Sequence, residues 1–329
     1  MNKLLKCTTF CLVVVFSLLG SVDAYFIFSK SPSLKTRPPV RAPRYDIHSS
    51  HIFRSTKAEK GPDMNPYEIL STVGQGGYVP VYLVKKFLGS KAITKFVGHN
   101  AALFYALFGT MDVLGSAYKR NRLDGTTFKY LNLGVFASSV IYLANTYKSL
   151  STMASNPGEI LGAVLIFLSG VTAATKLSKH GLPDVKKLKM KGEKGCCPFS
   201  SKLFLLSGIT TLVSALRSLF TGVSAFGTPI GALQLSVSCA LLPIISLVEH
   251  QAVLARRMDS KTYKDLNWIL LLVSAISILT APSSTFTFSA LAPTVVLKSI
   301  DKPLFIVSSV STTLAALLGL QIGYFGPDK

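Results

Sequence analysis

The sequence contains few charged residues, and acidic residues are the scarcest of them. Only 15% of the 329 residues are charged, whereas a soluble globular chain usually carries about a quarter. Hydrophobic residues make up 49% of the chain, and its mean hydropathy is +0.44. They cluster in blocks of about 20 residues, the length that crosses about 30 Å of hydrocarbon as a helix. This composition predicts an all-α, polytopic membrane protein whose principal partner is the lipid bilayer.

Motifs that mark catalytic and metal sites are missing. Gly74-Gln-Gly-Gly77 lacks the Gly-Lys-Ser/Thr that completes a phosphate-binding loop. No zincin motif, nucleophile elbow or zinc spacing of Cys and His occurs, and the five cysteines form no disulfide framework. We therefore expect no enzyme, no catalytic residue, no metal and no cofactor. A membrane-embedded enzyme remains a minor alternative.

Because acidic residues are scarce, the chain has a formal net charge of +20. In a soluble protein this charge would suggest nucleic acid. Here the basic residues lie mostly in the leader and between apolar segments, where the positive-inside rule expects them. We therefore expect no nucleic-acid partner. The sequence leaves oligomerisation open.

Seven segments are long and apolar enough to be predicted as transmembrane helices. They cover residues 97–118, 130–148, 158–176, 203–225, 230–250, 267–284 and 303–323. An eighth segment, 67–88, is interrupted by Gly74, Gly76, Gly77, Pro80 and two lysines. We predict that this weaker segment is interfacial or re-entrant.

Basic residues between the predicted spans alternate from one loop to the next. Sixteen Lys and Arg fall around the loops after the first, third and fifth spans, against three around the loops after the second, fourth and sixth. This asymmetry predicts one basic side, stroma in a plastid or cytosol otherwise, with the C-terminus on that side. The lysines that precede the first span, between 85 and 95, do not fit this arrangement.

The first 66 residues have the composition of a targeting leader. Residues 1–24 read as a signal peptide that ends at Val22-Asp23-Ala24, and residues 25–66 are basic, Ser-containing and poor in acids. With Tyr25-Phe26 after the cleavage site, the leader resembles the bipartite presequences of plastid proteins in algae with complex plastids. That resemblance implies a plastid membrane. A secretory-pathway or plasma membrane is the alternative.

Two eleven-residue stretches, 122–132 and 257–267, share Arg, Asp, Thr, Lys, Leu and Asn at equivalent positions. Each stretch covers a basic loop and the start of the next span, so spans one and two align with spans five and six in the same orientation. This pattern predicts a parallel repeat, one of the symmetries found in secondary transporters. The resulting arrangement of three spans, a linker span and three further spans resembles that of the SWEET and PQ-loop transporters.

The resemblance implies a first repeat at 97–177, a basic loop at 178–202, a linker helix at 203–227 and a second repeat at 228–329, after an interfacial segment at 67–96. The chain lacks that family's prolines in spans one and two; only Pro243 and Pro282 fall in or near spans five and six. A rival arrangement pairs residues 67–88 with span four, which gives two four-helix repeats.

Ionisable and amide side chains in hydrocarbon are costly, so each is a candidate site residue. Arg217 in span four is the strongest, as an anion-binding cation. Asp112 is a candidate for a coupled proton or for a structural partner of Arg217. His99 and Asn100 open span one, and His99 is also a candidate chlorophyll ligand. Glu249 and His250 close span five, where we expect a solvated helix end.

These features favour a secondary carrier for a small solute, with an anionic metabolite suggested by Arg217. Spans rich in Gly, Ala, Ser and Thr indicate close helix packing. The rival function is a structural or pigment-associated subunit of a thylakoid complex, in which His99 and His250 would be ligand candidates.

Overall fold

Helices form nearly all of the described chain. The computed structural model describes residues 65–80, 82–83, 95–119, 122–147, 157–184, 198–222, 231–255, 257–280 and 301–322. The helices are α1 (Pro66–Ser71), α2 (Lys95–Lys119), α3 (Gly125–Thr146), α4 (Pro157–His180), α5 (Pro198–Thr221), α6 (Ala232–Ala255), α7 (Ser260–Thr280) and α8 (Asp301–Ile322). The prediction of an all-α fold is confirmed for these ranges, which contain no β-strand. Residues 1–64 of the predicted leader lie outside them, whereas Asn65 and Pro66 belong to the start of α1.

Within the described ranges, five helices are long and apolar enough to cross a membrane: α4, α5, α6, α7 and α8. Between residues 160 and 171 of α4 the exposed side chains are apolar and recur every three or four residues, which places them on one face: Ile160, Leu161, Val164, Phe167, Leu168 and Val171. A water-exposed face would carry polar residues, so this stripe faces lipid. The chain is therefore a multi-pass membrane protein.

The predicted spans 97–118 and 130–148 form helices α2 and α3, but neither is among the five apolar helices. Much of both helices is buried against neighbouring helices, including Leu103, Phe108 and Leu131. Among these buried side chains are also polar groups, such as Asn132, and they lower the mean hydropathy of the helices. The described helices thus give five apolar spans instead of seven.

The weak segment begins as a helix capped by Asn65, whose side chain accepts a hydrogen bond from the Tyr67 amide. It continues as a π-helical segment at Thr72–Tyr78, and both parts pack along α2. Gly74 has a packing reason, because a Cβ there would overlap the Phe108 ring, whereas a Cβ on Gly76 or Gly77 would meet nothing within 4 Å.

The helices pack in a closed order. Each neighbours the next in the sequence α1, α2, α7, α8, α5, α6, α3, α4, and α4 returns to α1. Advancing every helix number by four reproduces the same circular order. The helix α6 is the most enclosed of the five spans, with 78% of its most apolar window buried.

The loops before α3 and α7 pair with each other. Leu123 and Met258 form an isolated antiparallel bridge. Its flanks exchange hydrogen bonds: the Asp124 amide donates to the Arg257 carbonyl, and the Asp259 amide donates to the Arg122 carbonyl, both at 3.2 Å. The side chains of the same four residues form two ion pairs between the loops, Arg122–Asp259 at 3.1 Å and Arg257–Asp124 at 3.9 Å. We call Arg122, Asp124, Arg257 and Asp259 the Arg–Asp clasp.

Both aspartates of the clasp also begin a helix. Asp124 accepts from the Thr127 amide at 2.7 Å, and Asp259 accepts from the Thr262 amide at 3.0 Å. Asp is among the strongest N-cap residues because its carboxylate satisfies an amide that the helix leaves unpaired. One carboxylate therefore fixes a helix start and contributes to the pairing of the two loops.

The chain order predicts which helix ends share a compartment. In a variant without native cysteines, we expect Leu182→Cys after α4 and Lys261→Cys at the start of α7 to react with a membrane-impermeant maleimide from the same side. Thr221→Cys at the end of α5 is expected to react only from the other side. Labelling of all three from one side would contradict the predicted threading.

Candidate functional site

A cavity rich in hydroxyl groups lies among α5, α6, α7 and α8, with one residue contributed by α2. Its cavity volume is about 80 Å³, and the whole gap between the lining atoms, open solvent included, is about 730 Å³. Nine serines and two threonines line it, together with His99, Gln234 and five apolar residues. No charged side chain of the described helices is among the lining residues. The site is therefore polar but neutral.

Some of these hydroxyls are bonded to one another across helix interfaces. Ser207 on α5 bonds Thr312 on α8 and lies 3.4 Å from Ser246 on α6. Thr211 and Ser308 make a second α5–α8 bond at 2.6 Å. Because a hydroxyl both donates and accepts, each can exchange a neighbouring hydroxyl for a bound solute.

His99 is the contribution of α2 to the cavity. Its Nδ1 lies 3.3 Å from the Ser277 hydroxyl on α7, and its Nε2 is buried with no hydrogen-bond partner in the described structure. A buried ring nitrogen without a partner is costly, so Nε2 is available to a ligand. His99 is the sequence candidate that the structure places at the cavity.

The other three candidates lie elsewhere. Arg217 stands one turn before the end of α5 and is not among the cavity-lining residues. Asp112 is exposed and accepts a hydrogen bond from Ser71 at 3.1 Å, so its described contact is not with Arg217. Asn100 accepts no bond at its buried Oδ1, and its Nδ2 lies 3.4 Å from the Tyr82 hydroxyl. The four candidates therefore do not form one site.

The expectation of a solvated helix end at Glu249 and His250 is wrong. Glu249 is fully buried, and His250 is only 6% exposed. The His250 Nδ1 lies 2.7 Å from the Ser201 hydroxyl, and Glu249 accepts from the Asn267 amide at 3.1 Å. The helix α6 extends to Ala255, beyond the predicted span end at 250, so both residues face neighbouring helices.

Aromatic rings pack between α2 and the segment that follows α1. Tyr78 and Tyr82 meet Phe104 edge-on, with ring centroids 4.9 and 5.7 Å apart, and Phe104 stacks with Phe108 at 6.2 Å. Such pairs bury large apolar surfaces and fix ring orientation. This part of the bundle is filled, in contrast to the cavity among α5–α8.

No known protein family matches the chain, and neither the curated proteins nor the solved structures include a significant match. Among the described residues, no group of three or more His, Cys, Asp or Glu could hold a metal ion. The geometry of the cavity therefore carries the functional argument.

Proposed function

We propose that the protein is a secondary carrier for a small, neutral, hydroxyl-bearing solute. The observation that carries the proposal is the cavity lined by eleven hydroxyl side chains, His99 and Gln234 without a charged group from the described helices. An anion would need a cationic partner at close range, and Arg217 lies outside the lining. Polyols and sugars offer paired donors and acceptors, which match hydroxyl and amide groups.

The proposed carrier consists of two four-helix halves, α1–α4 and α5–α8, related by an approximate two-fold axis. The reciprocal Arg–Asp clasp and the circular helix order support this relation. So do two ring pairs: Tyr67–Phe128 and Phe204–Tyr263 both have centroids 6.4 Å apart in edge-to-face geometry. This assignment takes up the four-helix alternative to the SWEET-like arrangement.

The repeat assigns each α6 and α7 lining residue an equivalent 135 residues earlier in the chain. Gln234 corresponds to His99, and both line the same cavity. Ser238, Ser246 and Ser277 correspond to Leu103, Met111 and Tyr142, which are buried. At these three positions one half has hydroxyl groups where its equivalent has buried apolar or aromatic side chains, whereas Ser274 corresponds to another buried serine, Ser139.

Parallel repeats that meet around one site are a recurrent basis of alternating access. In the proposed carrier the interior of the first half is filled by aromatic side chains, and the second half supplies most of the cavity lining. The Arg–Asp clasp joins the halves at the basic side, where it would have to loosen for access from that side. A plastid membrane as the location stays a proposal based on the composition of residues 1–66.

Filling the cavity tests the proposal. In proteoliposomes, Ser214→Phe is expected to abolish counterflow of radiolabelled myo-inositol or glucose, because Ser214 lines the cavity. The control is Val213→Phe on the same helix, where the side chain is 44% exposed on the outer face. Phosphate and malate serve as anionic probes. Counterflow of the anions alone, or equal activity of both variants, would contradict the proposal.

The second candidate function is a pigment-associated subunit, favoured by the unpartnered Nε2 of His99. A neutral imidazole nitrogen can ligate the magnesium of a chlorophyll. Protein purified from its native membrane would then absorb in the chlorophyll region, and His99→Leu would remove that absorbance. A colourless protein that shows counterflow would favour the carrier.

A further inference from the structure

Glu249 is the most deeply buried carboxylate among the described residues. Its side chain is 0% exposed, and it stands on α6 one helical turn beyond Ser246, which lines the cavity. Residues three apart share a helix face and are separated by about 4.5 Å along the axis. Glu249 therefore lies between the cavity and the end of α6 that faces the Arg–Asp clasp.

Two oxygen atoms at this position are left without a hydrogen bond. The Asn267 amide donates to Glu249 Oε2 at 3.1 Å and to the Tyr263 carbonyl at 2.9 Å. Within the described residues, Glu249 Oε1 and Asn267 Oδ1 are buried and have no partner. Two adjacent acceptors call for a donor, and a proton on the carboxyl group supplies one.

Within the described residues, Glu249 forms no ion pair. The helices packed against this part of α6 are α5, α3 and α7. The titratable side chains near their starts are Lys202 on α5, Lys129 and Tyr130 on α3, and Tyr263, Lys264 and Asp265 on α7, and His250 follows Glu249 on α6 itself. In the described part of the chain, the interaction of Glu249 is with the neutral Asn267. His250 instead contacts Ser201 through its Nδ1. A buried, unpaired carboxylate is costly enough that the group takes up a proton.

The equivalent asparagine in the first half has a different partner. Asn132, the counterpart of Asn267, accepts a hydrogen bond from the Tyr67 hydroxyl, and Leu114 stands where the second half has Glu249. Asn132 therefore has the neutral donor that Asn267 lacks. The ionisable group is confined to the half that contains the cavity.

We propose that Glu249 is the group that takes up and releases the proton coupled to solute movement. The proposal rests on the proposed carrier function. While its carboxyl group is buried, as in this structure, Glu249 is protonated, and opening of the clasp end gives its proton access to water. Uptake adds one proton to the carboxylate and release removes it, with no other bond changed. Asn267 is a positioning residue that holds the carboxyl group at the α6–α7 contact.

The Glu249→Gln variant separates proton-driven accumulation of the solute from solute counterflow. Gln preserves shape and the acceptor for the Asn267 amide but cannot release a proton. With one proton per solute, a tenfold inward proton gradient drives at most about tenfold accumulation of myo-inositol or glucose in wild-type proteoliposomes. We expect Glu249→Gln to reduce the accumulation ratio to about one and to retain counterflow at equal pH.

Asp112→Asn is the matched control, because Asp112 is exposed and lies outside the cavity. The Asp112→Asn variant should keep full proton-driven accumulation.

Accumulation by Glu249→Gln at the wild-type level would overturn the assignment of Glu249 as the proton-carrying group. Accumulation driven by a sodium gradient and not by a proton gradient would overturn it too. Absence of counterflow in the wild type would instead overturn the carrier function, and the coupling with it. Loss of both activities in a Glu249→Gln protein with a wild-type melting curve would also contradict the separation.

Discussion

Gly319→Ala is expected to destabilise the protein by several kcal/mol. A Cβ at Gly319 on α8 would lie 2.7 Å from the Asn267 Oδ1 and 2.9 Å from its Cγ and Nδ2. Asn267 is fully buried, so it cannot move without disturbing its bonds to Tyr263 and Glu249. Overpacking costs about 1–3 kcal/mol, and loss of a hydrogen bond to a buried polar group adds about 1–3 kcal/mol.

The measurement is detergent unfolding followed by fluorescence of Trp268, the single tryptophan, which is adjacent to Asn267. Gly76→Ala is the matched control, because a Cβ there meets nothing within 4 Å. Since alanine is favoured over glycine inside a helix by about 1 kcal/mol, the control should be neutral or slightly stabilising. Equal stability of the two variants would show that α8 does not approach Asn267 closely.

Breaking the stronger ion pair of the clasp is expected to destabilise the contact between the two loops. Arg122 is 14% exposed and Asp259 is 29% exposed, at a separation of 3.1 Å. Removal of one partner from a fully buried pair costs about 3–5 kcal/mol, and solvent screening of this partly exposed pair reduces the cost to about 1–3 kcal/mol. Arg122→Ala should lower the free energy of unfolding by that amount.

A double-mutant cycle separates the ion pair from the helix cap. Asp259→Asn preserves an acceptor for the Thr262 amide, since Asn caps helices about as well as Asp, and removes only the charge. Its coupling to Arg122→Ala should exceed the coupling of Asp124→Asn to Arg257→Ala, because the second pair is 3.9 Å apart and more exposed. Coupling energies near zero for both pairs would mean that the backbone bridge alone joins the loops.

Much of the helix placement was predictable because hydrophobic runs and loop charge are local properties of the sequence. The matching stretches 122–132 and 257–267 contain the starts of α3 and α7 at Gly125 and Ser260, although the predicted spans began later, at residues 130 and 267. The sequence could not tell that these two stretches contact each other, since pairing of Leu123 with Met258 depends on the packing of all the intervening helices.

The site was only partly predictable. His99 was identified as an intramembrane ionisable residue, and the structure places it at the cavity. The serines of α8 were interpreted as residues for close packing, and the role of Ser308 and Ser309 as cavity lining depends on which faces of four helices converge. Glu249 was assigned to a solvated edge because its burial depends on where α6 ends, and helix ends are poorly determined by sequence.

The short π-helical segment Val237–Leu241 within α6 determines which side chains reach the cavity. Gln234, Ser238, Leu242 and Ser246 all line it, four residues apart each time. In a regular helix of 3.6 residues per turn, such a series would rotate by about 120° from first to last, whereas wider turns keep it in register. Loss of a single codon from this segment would therefore turn Gln234 away from the cavity by about 100° while leaving the composition of the span almost unchanged.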